Sequence, residues 1–393
     1  MESVIKKLEE NNFMIPNFKK SNFQALNDTV NGRNSELTGE RENKIFFIVD
    51  GFGMNLLNEL RSRNKRTNET LAKASLNAVT TIFPSATLCV LSSLFSGMLP
   101  SEHGVIGDIQ PVGGFGLVNI MYLSEMFGDI SKHFDGIEYE MIYPKDYNLQ
   151  KLQAKNGIGI FPKTIEMLPS GRQILNESHN LEYSTIEDLY GVINGAISKG
   201  SNSIILVYYG NLDHIEHMHG YLSDESIAEA AKVVELIGSI NTLARNGNYS
   251  VIVTADHGHV IVKGSEFKTF DSKSKLASLL KRPPWGNART MFLESKEGKE
   301  EKVEEAFNED FVDYSAIFRS EDMLAAGIFG PEKPLKKKRE NFGTHIAISK
   351  GNYSINYAEK GQYEPWFDRS TGQIGTHGGM SQNEMQVPLL VFE

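Results

Sequence analysis

The sequence predicts an α/β fold with a mostly parallel central sheet, and three observations of one kind support this. Apolar runs at residues 44–49, 203–209 and 249–255 indicate short buried strands. Within a few residues, each run is followed by an aspartate: Asp50, Asp213 and Asp256. Because ligands of open α/β sheets gather beyond the carboxyl ends of parallel strands, we expect the three carboxylates to meet at one edge of the sheet.

Histidines accompany two of these aspartates and also stand in a glycine-rich segment near the C-terminus. Asp213 and His217 have an Asp-x-x-x-His spacing. Asp256 is followed directly by His257, and His377 lies in Gly-Thr-His-Gly-Gly. One such aspartate alone usually forms a turn or cap, and one such histidine is usually an ordinary surface or core residue. Here, however, six of the ten histidines lie in or beside three motifs of one chain, which predicts a metal centre.

A hydroxyl at a predicted helix start is the candidate nucleophile. The segment at 80–87 runs into an apolar stretch that predicts a buried helix beginning at about Thr87. The N–H groups and positive dipole end of a helix N-terminus would stabilise both an alkoxide and a phosphate oxygen. Taken alone, the segment favours a simple capping role for Thr87, and Ser85 is a competing nucleophile.

Three carboxylates, three imidazoles and a hydroxyl are the parts needed to hold two divalent cations beside a nucleophile. Two cations about 4 Å apart can clamp the entering and leaving oxygens of an in-line displacement. One of them would lower the pKa of the Thr87 hydroxyl. Carboxylate and neutral imidazole ligands suit zinc first, with manganese or iron as alternatives. We therefore expect a metal-dependent hydrolase.

Six short motifs follow one another along the chain. They are Asp-Gly at 50–51, Phe-Pro-Ser-Ala-Thr at 83–87, Ser-Gly-Met-Leu-Pro-Ser-Glu-His-Gly at 96–104, Asp-x-x-x-His at 213–217, Asp-His-Gly at 256–258 and Thr-His-Gly at 376–378. This series resembles the nucleotide pyrophosphatase/phosphodiesterase (type I phosphodiesterase) branch of the alkaline phosphatase superfamily. The resemblance extends from about residue 44 to the C-terminus, and it implies an alkaline-phosphatase-like three-layer sandwich with inserted cap segments.

The resemblance also implies a role for each of seven residues. One zinc ion would be bound by Asp213, His217 and His377. The other would be bound by Asp50, Thr87, Asp256 and His257. Because the family's nucleophilic threonine commonly closes a Pro-Ser-x-Thr segment, the resemblance favours Thr87 over Ser85. The leading activity is hydrolysis of a phosphodiester or nucleotide pyrophosphate bond through a phosphothreonine intermediate.

Two positions depart from the family's pattern. Leu88 stands where the family commonly has an aromatic residue that helps to hold a nucleobase. A gap-free count from Thr87 puts Asp108 where related phosphodiesterases have an amide that donates to a phosphate oxygen. An ionised carboxylate cannot donate, so Asp108 must be protonated, displaced, bound to a cation or not the equivalent residue.

These departures keep open a phosphomonoesterase, or a phosphonate hydrolase of the phosphonoacetate type, on the same metal pair. The alternative from another class is a catalytically silent metal-binding protein. In either enzyme the partner is a small phosphate ester or a nucleotide. The formal net charge of −10 disfavours a protein that coats nucleic acid, and a homo-oligomer stays open.

The chain is predicted to be organised around one catalytic domain. Residues 1–42 read as an N-terminal extension with a short helix, and residues 43–393 as the catalytic domain, with insertions at about 109–180 and 260–374. The basic cluster at 333–339 is interpreted as a solvated loop.

Further local patterns complete the sequence predictions. A capping box at Ser184 predicts a helix to about Lys199, and a further helix is expected from Asp224 to about Arg245. His214, His219 and His259 flank proposed ligands, but neighbours on a tight loop generally point elsewhere.

Cysteine content and hydropathy predict the compartment. The one cysteine, Cys89, excludes an intramolecular disulfide. No stretch reaches the length of a membrane span, and the first ten residues lack an apolar core of the kind found in signal peptides. We therefore expect a cytoplasmic protein with no membrane partner.

Overall fold

The structure is a computed structural model that describes residues 2–126, 133–145, 147–167, 180–200, 203–358 and 373–393. In chain order the strands are β1 (Asn43–Val49), β2 (Ser75–Thr80), β3 (Ile109–Val112), β4 (Gly116–Asn119), β5 (Ser124–Glu125), β6 (Ile158–Pro162), β7 (Asn180–Tyr183), β8 (Ile204–Tyr209), β9 (Tyr249–Thr254), β10 (Val260–Lys263), β11 (Phe267–Phe270), β12 (Trp285–Gly286), β13 (Thr290–Leu293), β14 (Ser315–Arg319), β15 (His345–Ser349), β16 (Ser354–Tyr357), β17 (Gln373–Thr376) and β18 (Gln386–Phe392).

In the described residues, α-helices and three short 3-10 helices connect these strands. The α-helices are α1 (Glu2–Glu10), α2 (Asn22–Asn31), α3 (Met54–Arg63), α4 (Lys65–Leu71), α5 (Thr87–Ser96), α6 (Pro100–His103), α7 (Tyr139–Ile142), α8 (Tyr147–Ala154), α9 (Ile186–Ser198), α10 (Asn211–His219), α11 (Asp224–Asn246), α12 (Lys275–Leu279), α13 (Glu300–Phe311), α14 (Ser320–Ala325) and α15 (Gln382–Met385). The 3-10 helices are Lys163–Met167, Gly264–Glu266 and Lys336–Phe342.

A seven-stranded, mostly parallel sheet lies at the centre of the fold, with the strand order β2-β18-β9-β1-β8-β6-β7. β1 runs parallel to both β8 and β9, whereas β18 runs antiparallel to β9 and β2. The three strands predicted from apolar runs therefore lie side by side, with their carboxyl ends at the same edge. Residues 45–49 are fully buried, as expected for a parallel sheet covered on both faces.

Two groups of helices complete a three-layer α/β sandwich. The first group consists of α2, α5 and α8, which contact one another. The second is formed by α3, α4, α9, α10 and α11. α11 buries Val233, Ile237 and Ile240, whose spacing places them on the same helix face. The predicted fold class, an α/β sandwich with a mostly parallel central sheet, is confirmed.

A second sheet is antiparallel and has the strand order β14-β15-β13-β12-β3-β4-β5. β3 to β5 come from the sequence around residues 109–125, and β12 to β15 come from residues 285–349. The two groups of strands meet where Gly286 of β12 pairs with Ile109 of β3. No sequence pattern predicted that strands so far apart in the chain form one sheet.

Three local predictions differ from the structure. The first 42 residues contain two helices rather than one, and α1 buries Val4 and Leu8 in the apolar core beside the second sheet. Thr185, and not Ser184, caps α9, because its side chain accepts a hydrogen bond from the Asp188 N–H. The basic cluster is not wholly solvated.

Lys338 is the buried member of that cluster. Its Nζ donates to the carbonyl oxygens of Met141 and Ile142, at 3.0 and 2.8 Å, which tethers the cluster to the segment around α7. Burial lowers the pKa of Lys338 to about 8. In the portion of the chain that the structure describes, no helix combines the length and apolarity needed to cross a bilayer.

Candidate active site

Asp50 and Asp256 are buried at the carboxyl ends of neighbouring strands, β1 and β9. One oxygen of each carboxylate receives protein hydrogen bonds. The Tyr208 hydroxyl donates to Asp50 Oδ2, and the backbone N–H groups of Gly51 and His257 donate to Asp256 Oδ1 at 3.2 and 2.9 Å. The other oxygens, Asp50 Oδ1 and Asp256 Oδ2, receive no hydrogen bond from the described residues. A buried carboxylate oxygen that accepts no hydrogen bond is unfavourable unless a positively charged group faces it.

His257 Nε2 lies at the centre of the first group, which we call the Asp50 cluster (Asp50, Thr87, Asp256 and His257). It is 3.4 Å from Asp50 Oδ1, 3.5 Å from Asp256 Oδ2 and 3.0 Å from Thr87 Oγ1. Donor atoms of a tetrahedral zinc ion lie about 3.3 Å from one another. The four side chains are therefore spaced as ligands of a single cation would be, and the two oxygens without donors belong to this group.

Asp213 Oδ1 lies at the centre of the second group, the Asp213 cluster (Asp213, His217 and His377). His217 Nε2 is 3.4 Å and His377 Nε2 is 3.7 Å from this oxygen, and the two nitrogens are 3.2 Å apart. The Nδ1 atoms face carbonyl oxygens, at 2.8 Å for Gly375 and 3.1 Å for Ser85. Because a carbonyl can only accept, each Nδ1 carries the hydrogen and each Nε2 presents its lone pair.

The two clusters adjoin. The rings of His257 and His377 are stacked, with centroids 3.6 Å apart and an interplanar angle of 13°. All seven residues selected from the sequence are thus brought together at the edge where the parallel strands end. Two overlapping sets of side chains are close enough to share an ion: Asp213, His257, His259 and His377 form one, and Asp50, Asp256 and His257 form the other.

His259 and Glu216 belong to this region, although the sequence analysis gave them no role. His259 Nε2 is 2.8 Å from Asp213 Oδ1 and 3.3 Å from Glu216 Oε2, and both side chains are fully buried. Their positions carried a signal. His257 and His259 are two residues apart, a spacing that can place both side chains on one side of the chain, and their ring centroids are 5.5 Å apart. Residues three apart on a helix also share a face, as Asp213 and Glu216 do on α10.

The electrostatics favour neutral imidazoles beside competing carboxylates. Burial lowers the pKa of His257 to about 3 and that of His377 well below its ordinary value. Burial, followed by the charges of Asp256 and Asp213, raises the pKa of Asp50 well above the usual range. A divalent cation would reverse this preference and stabilise the ionised carboxylates. Neutral imidazole and ionised carboxylate are the forms that bind metal.

The structure separates the two candidate nucleophiles. Thr87 is the first residue of α5 and is half-buried, with its hydroxyl in the Asp50 cluster. Ser85 is fully buried, and its hydroxyl donates to the Gly379 carbonyl oxygen at 2.8 Å. The helix cap residue, Ala86, provides no side-chain hydrogen bond to the first turn of α5. The N–H groups of that turn therefore stay available to an anion.

The two positions that depart from the family's pattern lie on the side of the second sheet. Leu88 is half-buried and packs against an apolar cluster that includes Val105, Ile120 and Tyr143. Asp108 is also half-buried, and burial raises the pKa of its carboxyl to about 6. The charges of His217 and Asp213 act on the same carboxyl, so Asp108 is within electrostatic reach of the Asp213 cluster.

Comparison with known proteins gives the family. Residues 44–114 and 145–380 match the sequence model of the type I phosphodiesterase / nucleotide pyrophosphatase family. The chain belongs to this family. The predicted branch of the alkaline phosphatase superfamily is confirmed, and so is the predicted enzyme class, a hydrolase of phosphoric esters of the phosphodiesterase/nucleotide pyrophosphatase type.

Solved structures of the same fold include two kinds of enzyme. Murine ectonucleotide pyrophosphatase / phosphodiesterase 5 has a TM-score of 0.63 at 16% identity, over 88% of this chain and 87% of that one. Its human counterpart has a TM-score of 0.60 at 15% identity, over 88% and 87%. Phosphonoacetate hydrolase from Sinorhizobium meliloti 1021, in complex with phosphonoformate, has a TM-score of 0.63 at 12% identity, over 91% of both chains. At such identities the similarity shows the fold, and no curated protein matched the sequence.

Proposed function

We propose that this protein hydrolyses phosphodiester or nucleotide pyrophosphate bonds, with Thr87 as the nucleophile of a site that binds two divalent cations. The observation that carries this proposal is the position of the Thr87 hydroxyl, 3.0 Å from His257 Nε2 and inside the Asp50 cluster. Family membership supports the reaction class.

The residues present fit a pair of cations. The Asp50 cluster would hold one, and its two carboxylate oxygens without donors are the atoms that need a positive partner. The Asp213 cluster would hold the other, with its histidine tautomers set by two carbonyl oxygens. When bound, the pair would supply Lewis-acid stabilisation of phosphoryl charge and would lower the pKa of the Thr87 hydroxyl. Zinc is the first choice for this mixture of ligands, with manganese or iron as alternatives.

The chain itself positions the reacting groups. The Thr87 oxygen attacks phosphorus, the bond to the leaving-group oxygen breaks, and water then hydrolyses the phosphothreonine. The first-turn N–H groups of α5 point at the phosphoryl oxygens during both steps. Asp213 and Asp256 are held in place by hydrogen bonds from His259 and from the Gly51 and His257 N–H groups.

A panel of model substrates tests the proposal. The set consists of bis-p-nitrophenyl phosphate, p-nitrophenyl phosphate, a nucleotide p-nitrophenyl ester and phosphonoacetate. We expect the diesters to be hydrolysed fastest after the protein is loaded with zinc. Hydrolysis of none of them by metal-loaded protein would support the alternative of a silent metal-binding protein.

Asp108 favours a second candidate function. A carboxylate near the Asp213 cluster would repel an anionic substrate and cannot act as the amide donor found in related phosphodiesterases. A phosphonate hydrolase or phosphomonoesterase on the same metal pair need not have an amide donor at this position. Phosphonoacetate hydrolase shares the fold at a TM-score of 0.63. A preference for phosphonoacetate, or for the monoester, over both diesters would move the assignment to this candidate. Cytoplasmic localisation stays a prediction.

A further inference from the structure

The turn between β12 and β13, at residues 287–289, is bound tightly to the loop that carries His377. The Thr290 hydroxyl donates to the Gly378 carbonyl oxygen at 2.7 Å. Arg289 donates from Nε and Nη2 to the Glu384 carboxylate, at 2.9 and 2.8 Å, and both side chains are fully buried. The same carboxylate accepts the Gly379 N–H at 2.8 Å. This turn therefore has a fixed position relative to the Asp213 cluster.

The Asn287 side chain in this turn has a defined amide orientation. Its Oδ1 accepts the N–H groups of Arg289 and Thr290, each at 2.8 Å. Because only the carbonyl end of the amide can accept two N–H groups, the NH₂ end must point the other way. Among the described residues, the one hydrogen bond made by Nδ2 is a long contact of 3.5 Å to the Gly378 carbonyl oxygen. The NH₂ group therefore has donor capacity left for a ligand.

Asn287 lies between Asp108 and His377. The preceding residue, Gly286, accepts a hydrogen bond from the Asp108 N–H at 3.1 Å. On the other side the amide packs on Gly378, the residue after His377, where an added Cβ would lie 2.4 Å from Asn287 Oδ1. Asn287 is half-buried, whereas Gly286 is fully enclosed. Asn287 is thus partly exposed between the segment that begins at Asp108 and the loop that carries His377.

We propose that the Asn287 NH₂ group donates a hydrogen bond to a non-bridging oxygen of the substrate phosphoryl group, and so supplies the amide donor that the carboxylate at position 108 does not provide. This inference rests on the proposed function. It assigns the hydrogen-bond donor to the second sheet rather than to the segment that follows Thr87. One hydrogen bond to a charged oxygen that strengthens in the transition state corresponds to roughly a ten- to hundred-fold change in rate.

A double-mutant cycle with Asn287→Ala and Asp108→Asn tests the inference. If Asn287 is the donor, Asn287→Ala lowers the diester rate about ten- to hundred-fold with metal content unchanged. Asp108→Asn then raises the rate by a larger factor in the Asn287→Ala background than in the native one, because a new amide replaces the lost donor. Equal factors in the two backgrounds would overturn the inference, since independent sites give additive effects.

A second variant and a second readout keep the test decisive. Asn287→Asp retains the oxygen that accepts the Arg289 and Thr290 N–H groups, so it replaces Asn287→Ala in the cycle if the alanine variant does not fold. Binding of inorganic phosphate to the metal-loaded protein, followed by calorimetry, does not depend on turnover. We expect Asn287→Ala to weaken phosphate binding about ten-fold. Unchanged phosphate affinity would contradict the role of Asn287, whereas an inactive native enzyme that still binds phosphate through Asn287 would contradict only the proposed reaction.

Discussion

Two hydroxyls two residues apart, Ser85 and Thr87, have different surroundings. Ser85 is fully buried and bonded to a carbonyl, whereas Thr87 is half-buried in the Asp50 cluster. Sequence composition could not separate them, because both lie at the N-terminal end of the same helix and both carry a hydroxyl. The separation depends on which side of the turn each residue faces, and that is set by contacts with the distant loop at residues 377–381.

Removal of each hydroxyl should therefore affect a different property: turnover for Thr87 and stability for Ser85. Thr87→Ala should lower turnover roughly a thousand-fold or more, because no other hydroxyl belongs to the Asp50 cluster. Ser85→Ala should keep most turnover but lower the free energy of unfolding by about 1 kcal/mol, since the buried Gly379 carbonyl loses its donor. Steady-state kinetics and urea unfolding of both variants check this. Near-native rates in Thr87→Ala, with large losses in Ser85→Ala, would exchange their roles.

Asp108→Asn should raise the diester rate, and the gain should depend on pH. The exchange removes a negative charge near the phosphoryl group and adds a donor. Burial raises the pKa of Asp108 to about 6, so the native carboxyl is neutral below that pH and charged above it. The ratio of variant to native rate should increase as pH rises through about 6 and reach roughly ten-fold.

The rates of the native protein and of the Asp108→Asn variant are measured at each pH, and their ratio is taken. Because histidine protonation affects both proteins equally, it cancels in this ratio. A sharp fall in the Asp108→Asn rate at all pH values would mean that the carboxylate itself is needed, as a cation ligand or as the partner of a basic group. A ratio of one throughout would place Asp108 outside the reacting region.

At the scale of the element, the sequence predicted the features that are marked by short-range patterns. The ends of β1, β8 and β9 and the start of α5 were predicted because apolar runs, turn residues and a helix start mark them within a few positions. His259 was not predicted as part of the site, because the neighbour of a ligand in a loop usually points elsewhere, whereas this ring faces Asp213. Glu216 escaped because a glutamate on a helix is usually exposed, whereas this carboxylate packs against Gly51.

Arg289 joins the turn after β12 to α15, and its removal should destabilise the protein. Arg289→Met leaves Glu384 buried without its charged partner, which costs about 3–5 kcal/mol in comparable buried pairs. The loop that carries His377 should loosen as well, since Glu384 also accepts the Gly379 N–H. Thermal unfolding and metal content measure the two effects separately.

The double variant Arg289→Met with Glu384→Gln is the matched control. It removes both charges, so part of the lost stability should return. If Arg289→Met alone were as stable as the native protein, the buried pair would have no structural importance. If the double variant were less stable than the single one, Glu384 would be stabilised by groups other than Arg289.

At the scale of the whole molecule, cation binding should determine stability. The buried carboxylates of Asp50, Asp256 and Glu216 lie near the partly buried Asp213, and their mutual repulsion opposes folding unless positive charge is present. A cation that binds only the folded state adds about 2.7 kcal/mol when its concentration is a hundred times its dissociation constant. Zinc-loaded protein should hold about two ions per chain and unfold at a higher temperature than chelated protein.

Variants of the two clusters, together with a control variant on α10, test the role of the cations. His217→Ala and Asp256→Ala should each lower metal content and turnover. His219→Ala, on an exposed position of the same helix, should change neither. Elemental analysis measures the metal content, steady-state kinetics measure the turnover, and calorimetry measures the unfolding temperature. Full activity and an unchanged unfolding temperature in excess chelator would remove the metal mechanism.

The central sheet and the second sheet differed in how far the sequence could predict them. The central strands carry continuous apolar runs and deliver charged residues at one end, which is a strong local signal. The second sheet is made of strands of two to five residues, and the pairs β3–β12 and β13–β15 join segments that lie far apart in the chain. Such pairing depends on tertiary contacts, so no window of sequence specifies it.

The meeting of β3 with β12 means that the two regions predicted to be insertions are not separable modules. Excising either one would expose the backbone edge of the strand that stays behind, and an uncovered edge recruits strands from other molecules. Chimeras that aim to exchange substrate preference with a relative should therefore transplant both regions together. A graft of one region alone would be expected to aggregate before its chemistry could be compared.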